Sequence, residues 1–199
     1  MDLAANAHLI EVIMKFVSRI ALAAALLLPL SLQAKEVSGV QLEDSVRLNE
    51  QTLVFNGAGV RSKFFIDLYV GSLYLPQTLD NTAAVLSADS AAVRLNITSG
   101  MITAEKMADA INEGFDDATD GNTAPIQNQI DQFMGLFSDE IVEGDQFTLL
   151  ASKDLGVTAF KNGTAQATIT SEPFRQALLK IWLGDEPAQK SLKKAMLGK

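Results

Sequence analysis

The hydrophobic period changes in blocks along this chain, and that order restricts the fold more than any other feature. Val46 to Leu48, Thr52 to Val60, Phe64 to Leu75 and Ala92 to Thr98 are strand-like runs rich in Val, Leu, Phe and Tyr, punctuated by Asn and Gly. Within Phe64 to Tyr74 the even positions Phe64, Ile66, Leu68, Val70 and Tyr74 are apolar or aromatic, while the odd face mixes Asp67, Tyr69 and Gly71. The period then lengthens. Met107, Ala110, Ile111 and Phe115 lie three and four apart behind Thr103, which has the right chemistry for an N-cap, and a second helix runs from Pro125 through Ile130 and Phe133 to Phe137. Strands return at Asp145 to Leu150, and Val157 to Phe160 pairs with Ala165 to Ile169 through the turn Asn162-Gly163. Two helices follow: Pro173 to Leu183, capped by Ser171 and ended by Gly184 as a left-handed residue, then Ala188 to Leu197. Strands and helices segregated in this way, without βαβ alternation, predict an α+β domain in which helices pack on an antiparallel sheet.

The N-terminal segment has another character. Met14-Lys15-Phe16-Val17-Ser18-Arg19 puts two cations before the apolar run Ile20 to Leu30, and Ser31-Leu32-Gln33-Ala34 follows, which is the three-part layout of a secretory signal peptide. Cleavage is expected after Ala34, with Met14 the more natural start than Met1. Residues 1–34 are then extension and signal, 35–199 form one domain, and the expected compartment is the periplasm. The run is too short for a bilayer span, which takes roughly 20 apolar residues, so no stable membrane span is expected after cleavage.

The absence of Cys and the single His, His8, remove much chemistry. Once the leader is gone no imidazole or thiol remains, so Ser-His-Asp and Cys-His nucleophiles, Cys/His zinc sites, His-ligated haem and Cys-ligated clusters are excluded. No cofactor or metal is expected. The stability of the domain must come from its core, because disulfides are excluded as well. With 16 Lys and Arg against 24 Asp and Glu, and no Lys/Arg cluster to offset it, the formal charge of -8 has the wrong sign for a phosphate backbone or an anionic leaflet, and nucleic acid is not an expected partner.

Local strings carry the remaining chemistry. Asn56-Gly57-Ala58-Gly59-Val60-Arg61 is followed by a strand rather than a helix, so it lacks the helix N-terminus of a dinucleotide loop, and its glycines instead allow a bulge or a close backbone approach. Arg61 is a candidate partner for a carboxylate or phosphate, or alternatively a structural ion-pair arginine. Asp116-Asp117 and Asp139 to Glu143 lack the spacing of a calcium loop and read as solvated acids, as do Glu105, Asp109 and Glu113 on the first helix. Ser191-Leu192-Lys193-Lys194 reads as helix surface and supplies no base for a serine.

The run from Phe55 through Gly57-Ala58-Gly59-Val60-Arg61 to Leu73-Tyr74-Leu75, together with Phe174-Arg175-Gln176-Ala177-Leu178-Leu179-Lys180-Ile181-Trp182-Leu183-Gly184-Asp185-Glu186-Pro187, resembles the chalcone isomerase-like family, in particular its bacterial exported branch. The resemblance implies an open-faced β-sandwich, a large antiparallel sheet covered on one side by helices. It also implies two functional types: isomerases that close a chalcone to a flavanone, and fatty-acid-binding or auxiliary relatives that catalyse nothing. Arg61 stands at the position of the enzymes' catalytic Arg. Their strand Thr falls at Tyr69, where binding-type relatives carry a Tyr that holds a carboxylate with the Arg. Their helix Tyr and Asn fall near Thr103 and Ala110, and their late Thr or Ser near Ile181, so three polar groups of an isomerase are replaced.

Geometry limits the Arg61 and Tyr69 pairing. Eight residues of straight strand span about 26 Å at roughly 3.3 Å per residue, too far to share a ligand. The chain must turn between them, and Ser62-Lys63 is the polar break where a tight hairpin is expected. The cleft between sheet and helices would be lined by Phe65, Leu73, Met107, Ile111, Phe133, Phe137 and Trp182. The reading is a monomeric, non-catalytic binding protein for a fatty acid or similar apolar carboxylate, with Arg61, Tyr69, Tyr74, Thr103 and Trp182 as ligand-binding residues. An isomerase or lyase acting on a phenolic or enone substrate and a structural or interaction module are the alternatives.

Overall fold

A computed structural model describes residues 35–137 and 139–199; the leader and the expected cleavage point lie outside the described residues. Among the described residues nine strands and five α-helices follow in sequence. A short hairpin of β1 (Lys35–Val37) and β2 (Val40–Leu42) precedes a seven-stranded sheet of β3 (Ser45–Leu48), β4 (Gln51–Lys63), β5 (Ile66–Leu75), β6 (Ser90–Ile97), β7 (Gln146–Ser152), β8 (Gly156–Lys161) and β9 (Thr164–Ile169). Its spatial order is its sequence order, and every neighbouring pair is antiparallel. The helix α1 (Thr82–Leu86) joins β5 to β6. Two longer ones, α2 (Ala104–Ala118) and α3 (Gln127–Met134), fill the β6–β7 connection, and α4 (Glu172–Leu183) and α5 (Lys190–Met196) end the chain. The α+β architecture expected from the block order is the one observed. The strands β1 and β2 and the helix α1 are too short to show a period and were not foreseen.

The sheet is buried on both faces. Tyr69, Leu73, Val93, Leu95, Phe147, Leu149 and Ala159 meet the helices in the main core, where Phe115 stacks on Phe174 with ring centroids 5.3 Å apart and Phe133 packs edge-on against both. The sheet is also curled, so that Val46, Leu53, Tyr74, Ala92, Leu150 and Phe160, from six consecutive strands, form a second, smaller apolar cluster on the opposite face. Leu73, Phe133 and Phe137, placed by the sequence in a cleft lining, are core residues instead. Leu73 comes from β5, between β4 and β6, and the two phenylalanines come from the α3 segment, where Phe137 packs on Phe147 of the sheet.

Helix ends follow the chemistry of their sequences. The Thr103 hydroxyl accepts from the amide of Lys106 at 3.2 Å and Ser171 accepts from that of Phe174 at 3.3 Å, which makes both the N-caps expected. Gly184 differs from expectation. Its φ of -70° is not left-handed; glycine is required because a Cβ there would lie 2.7 Å from the carbonyl oxygen of Lys180. The last helix begins at Lys190 rather than Ala188, with Gln189 at its N-cap position.

The glycines of the Gly57-Ala58-Gly59 string admit α5. A Cβ on Gly57 would lie 2.1 Å from the carbonyl oxygen of Ala195, and one on Gly59 would lie 2.8 Å from the Ala195 methyl. A bulge accompanies this approach: Phe55 pairs with Tyr74 and Gly57 with Leu73, leaving Asn56 as the extra residue. Its side-chain amide donates to the carbonyls of Leu79 and Met196 at 2.9 and 2.8 Å and accepts from the amide of Leu79 at 2.7 Å. Both alternatives offered by the sequence, bulge and close approach, are therefore present.

Candidate functional site

The hairpin between β4 and β5 sets the geometry of the site. Lys63 pairs with Ile66, so the loop is the two residues Phe64-Phe65, both left-handed at φ +51° and +66°. The expected turn at Ser62-Lys63 is thus displaced by two residues. The polar pair stays in the strand, and two bulky residues occupy a conformation that Asn and Gly usually supply. Phe65 is consequently fully exposed and does not line the cleft.

Arg61 is the register partner of Tyr69. The next pair is Ser62 with Asp67, so Leu68 is an extra residue on β5 and the ladder bulges there. A bulge re-aims neighbouring side chains, and here both Leu68 and Tyr69 reach the same cleft. Tyr69 is buried, and its hydroxyl accepts from the indole N–H of Trp182 at 3.0 Å. Burial pushes the phenol above its ordinary pKa, against the opposing effects of the Trp182 hydrogen bond and the charge of Arg61. The phenol is therefore a neutral donor whose own hydrogen has no partner among the described residues.

Arg61 is half-buried and makes no ion pair among the described residues. Its Nη1 donates to the side-chain oxygen of Gln189 and to the carbonyl of Ser62, each at 3.1 Å. The Gln189 oxygen also accepts from the amide of Ser62 at 2.9 Å, while its Nε2 donates to the carbonyl of Val60 at 3.2 Å. Gln189 thus clamps the guanidinium to the strand through neutral contacts and leaves its charge uncompensated. No sequence signal marks this residue, since an isolated Gln beside a lysine-rich helix reads as surface.

Arg61, Leu68, Tyr69 and Trp182 line a cleft of about 480 Å³ between sheet and helices, within the range of small-molecule sites. Leu68, Leu95, Ile102, Met107, Ile111 and Trp182 give it an apolar wall, with Pro187 and Ala188 from the segment before α5. Lys63 and Lys106 stand at its margin, together with Asp109, Glu113 and Asp117 from one side of α2. Met107, Ile111 and Trp182 thus line it as expected.

Of the five candidate ligand residues, Arg61, Tyr69 and Trp182 come together and two stand apart. Tyr74 lies on the opposite face of the sheet, because it is five residues from Tyr69 on one strand and the side-chain period is two. There the guanidinium of Arg94 covers its ring at 5.4 Å. Thr103 is not a lining residue; its hydroxyl is occupied as the cap of α2. Ala110 and Ile181, near which the resemblance brings two of an isomerase's polar groups, do line the cleft and are apolar. Among the described residues no group of three His, Cys, Asp or Glu side chains is arranged to hold a metal ion, and no helix is long and apolar enough to cross a membrane.

The sequence profile of the chalcone isomerase-like family matches residues 34–198. Among solved structures, a fatty-acid binding protein of Arabidopsis thaliana is similar, with 15% sequence identity, a TM-score of 0.57, and coverage of 77% of this chain and 95% of that one. No curated protein matches the sequence.

Proposed function

This chain belongs to the chalcone isomerase-like family, and from that premise we propose that it is a non-catalytic, monomeric binding protein of the periplasm whose cleft holds a fatty acid or similar apolar carboxylate. The observation that carries this reading is the pairing of an uncompensated Arg61 with the buried Tyr69 hydroxyl at an apolar cleft. A carboxylate seated there accepts from the guanidinium and from the phenol, while the chain lies along Leu68, Leu95, Met107 and Ile111. Charge-assisted bonds of this type are the strong ones, and a desolvated setting makes them stronger. Support for a binder rather than an isomerase comes from Ala110 and Ile181, which offer neither a proton nor a hydrogen bond. The similar Arabidopsis protein is described as fatty-acid binding, in agreement with this assignment.

Calorimetric titration of the domain with lauric, palmitic and stearic acids tests the reading, alongside native mass spectrometry of protein isolated from the cell envelope. Saturable one-to-one binding is expected. Absence of saturation with all three acids and of any co-purified lipid would refute it. The compartment is tested separately by sequencing the N-terminus of the exported protein, which should begin at Lys35.

A further inference from the structure

We propose that the Phe64-Phe65 hairpin tip is a membrane-docking wedge that seats the mouth of the cleft on an anionic lipid surface. Among the described residues four hairpins close with the same two-residue loop, both residues at positive φ: Ser38-Gly39, Asn49-Glu50, Phe64-Phe65 and Asn162-Gly163. Three begin with Ser or Asn, side chains suited to turns, and two of these end in Gly. The fourth places two phenylalanines where the left-handed conformation costs a bulky residue most. Neither packing nor turn formation accounts for them, because Phe64 is 82% exposed and Phe65 wholly so. Exposed Ile66 extends the apolar tip, and exposed Met101 adds a further apolar side chain at the cleft margin.

Charge and size identify the occupant. Lys63 precedes the two rings, whereas the nearest acid in sequence, Asp67, is held by the hydroxyls of Ser62 and Ser38. The stretch Lys63-Phe64-Phe65-Ile66 is therefore cationic and aromatic, the composition that suits a headgroup interface. Asp109, Glu113 and Asp117 lie on the helical side of the cleft, so an anionic surface favours approach by the hairpin side. Two aromatic rings bury roughly 400 Å² at most, about half of what one partner contributes to a stable protein interface. A narrow projection of this kind fits a lipid leaflet better than a second copy of the chain. The proposal rests on the ligand reading, since a sparingly soluble fatty acid is most readily exchanged where the cleft opens onto its lipid reservoir.

The experiment is co-sedimentation with extruded vesicles of phosphatidylethanolamine and phosphatidylglycerol, compared with phosphatidylcholine alone. Wild-type protein should partition to the anionic vesicles. F65G should lower the partition at least fivefold and F64N/F65G at least tenfold. Both variants supply residues that suit the turn, so their thermal midpoints should equal or exceed the wild type and separate lost docking from lost folding. Lauric acid titration of F65G in vesicle-free buffer should match the wild type, because Phe65 does not line the cleft. Wild-type protein left in the supernatant with anionic vesicles, or equal partition of all three proteins, would overturn the proposal. So would a concentration-dependent dimer that F65G abolishes, which would make a second copy the occupant. Vesicle docking without any lauric acid binding would support the wedge and refute the ligand assignment.

Discussion

Arg61 and Tyr69 face one another as register partners across β4 and β5, with a bulged Leu68 beside them, so two residues eight positions apart in the chain line one cleft. Replacing Arg61 by Ala should weaken lauric acid binding by about 1.5–3 kcal/mol, the usual worth of a hydrogen bond to a charged group. R61K should recover only part of this, because an ammonium lacks the planar fork. Titration calorimetry of the two variants measures both effects, and an unchanged affinity in R61A would remove the carboxylate from this end of the cleft.

Gln189 holds the guanidinium without neutralising it. In Q189A the strand loses one orienting acceptor, and affinity for lauric acid should fall by about 0.5–1.5 kcal/mol, the net worth of one hydrogen bond. Q189E should cost more, since a carboxylate at this position competes with the ligand for Arg61. The order wild type, Q189A, Q189E in decreasing affinity is the diagnostic result.

Gly57→Ala tests the seating of α5 on the sheet. The added methyl would meet the carbonyl of Ala195 at 2.1 Å, an overlap with backbone that no rotamer relieves. A loss of about 1–3 kcal/mol or more is expected from forced overpacking, read as a lower thermal midpoint. Displacing α5 also shifts Gln189 immediately before it, so the fraction that still folds should bind lauric acid less tightly.

A pH dependence follows from α4. Arg175 is fully buried, and Glu172 binds it through two oxygens while the carbonyl of Leu86 takes its Nη2. This pairing holds the Glu172 carboxyl at about 2, below the ordinary 4.5. A group with a depressed folded pKa stabilises fully above its unfolded pKa, so this contribution is lost as pH falls from about 4.5 toward 2. Asp145 is also depressed: the penalty of its burial is outweighed by hydrogen bonds from Asn162 and the amide of Val142 and by Lys161. It titrates in the same direction, so the comparison that isolates Glu172 is wild type against E172Q. The variant should lose about 1–3 kcal/mol near neutrality, toward the lower end because Glu172 is half exposed, and should show a shallower acid limb. Chemical denaturation at a series of pH values measures it.

The architecture was legible because periodicity reports burial, and burial on one side is what the helices and outer strands share. The Asn162-Gly163 turn and the Thr103 and Ser171 caps were legible for a second reason, as each residue has a local hydrogen-bonding or backbone preference that the fold uses. The displaced turn shows the limit. Phe64-Phe65 continues an apolar run, and no local preference marks it as a loop; only the pairing of Lys63 with Ile66 does so. Tyr74 lies away from the cleft, a placement illegible for a related reason, since a tyrosine in a strand buried on both faces gives no sign of which face holds the cleft. Gln189 was invisible because its partners lie some 130 residues away in sequence, and a neutral amide carries no signature of the charge it orients.

Trp182 is the only tryptophan in the chain, and its indole nitrogen is bonded to the Tyr69 hydroxyl inside the cleft. Its emission therefore comes from one place, unmixed with signal from elsewhere in the molecule. A ligand carboxylate that accepts the free phenolic hydrogen repolarises the oxygen to which the indole donates, and the indole then sees a different local field. Filling of the cleft is in this way converted into an optical signal without any label, and Y69F supplies a protein in which the same indole lacks the hydroxyl partner.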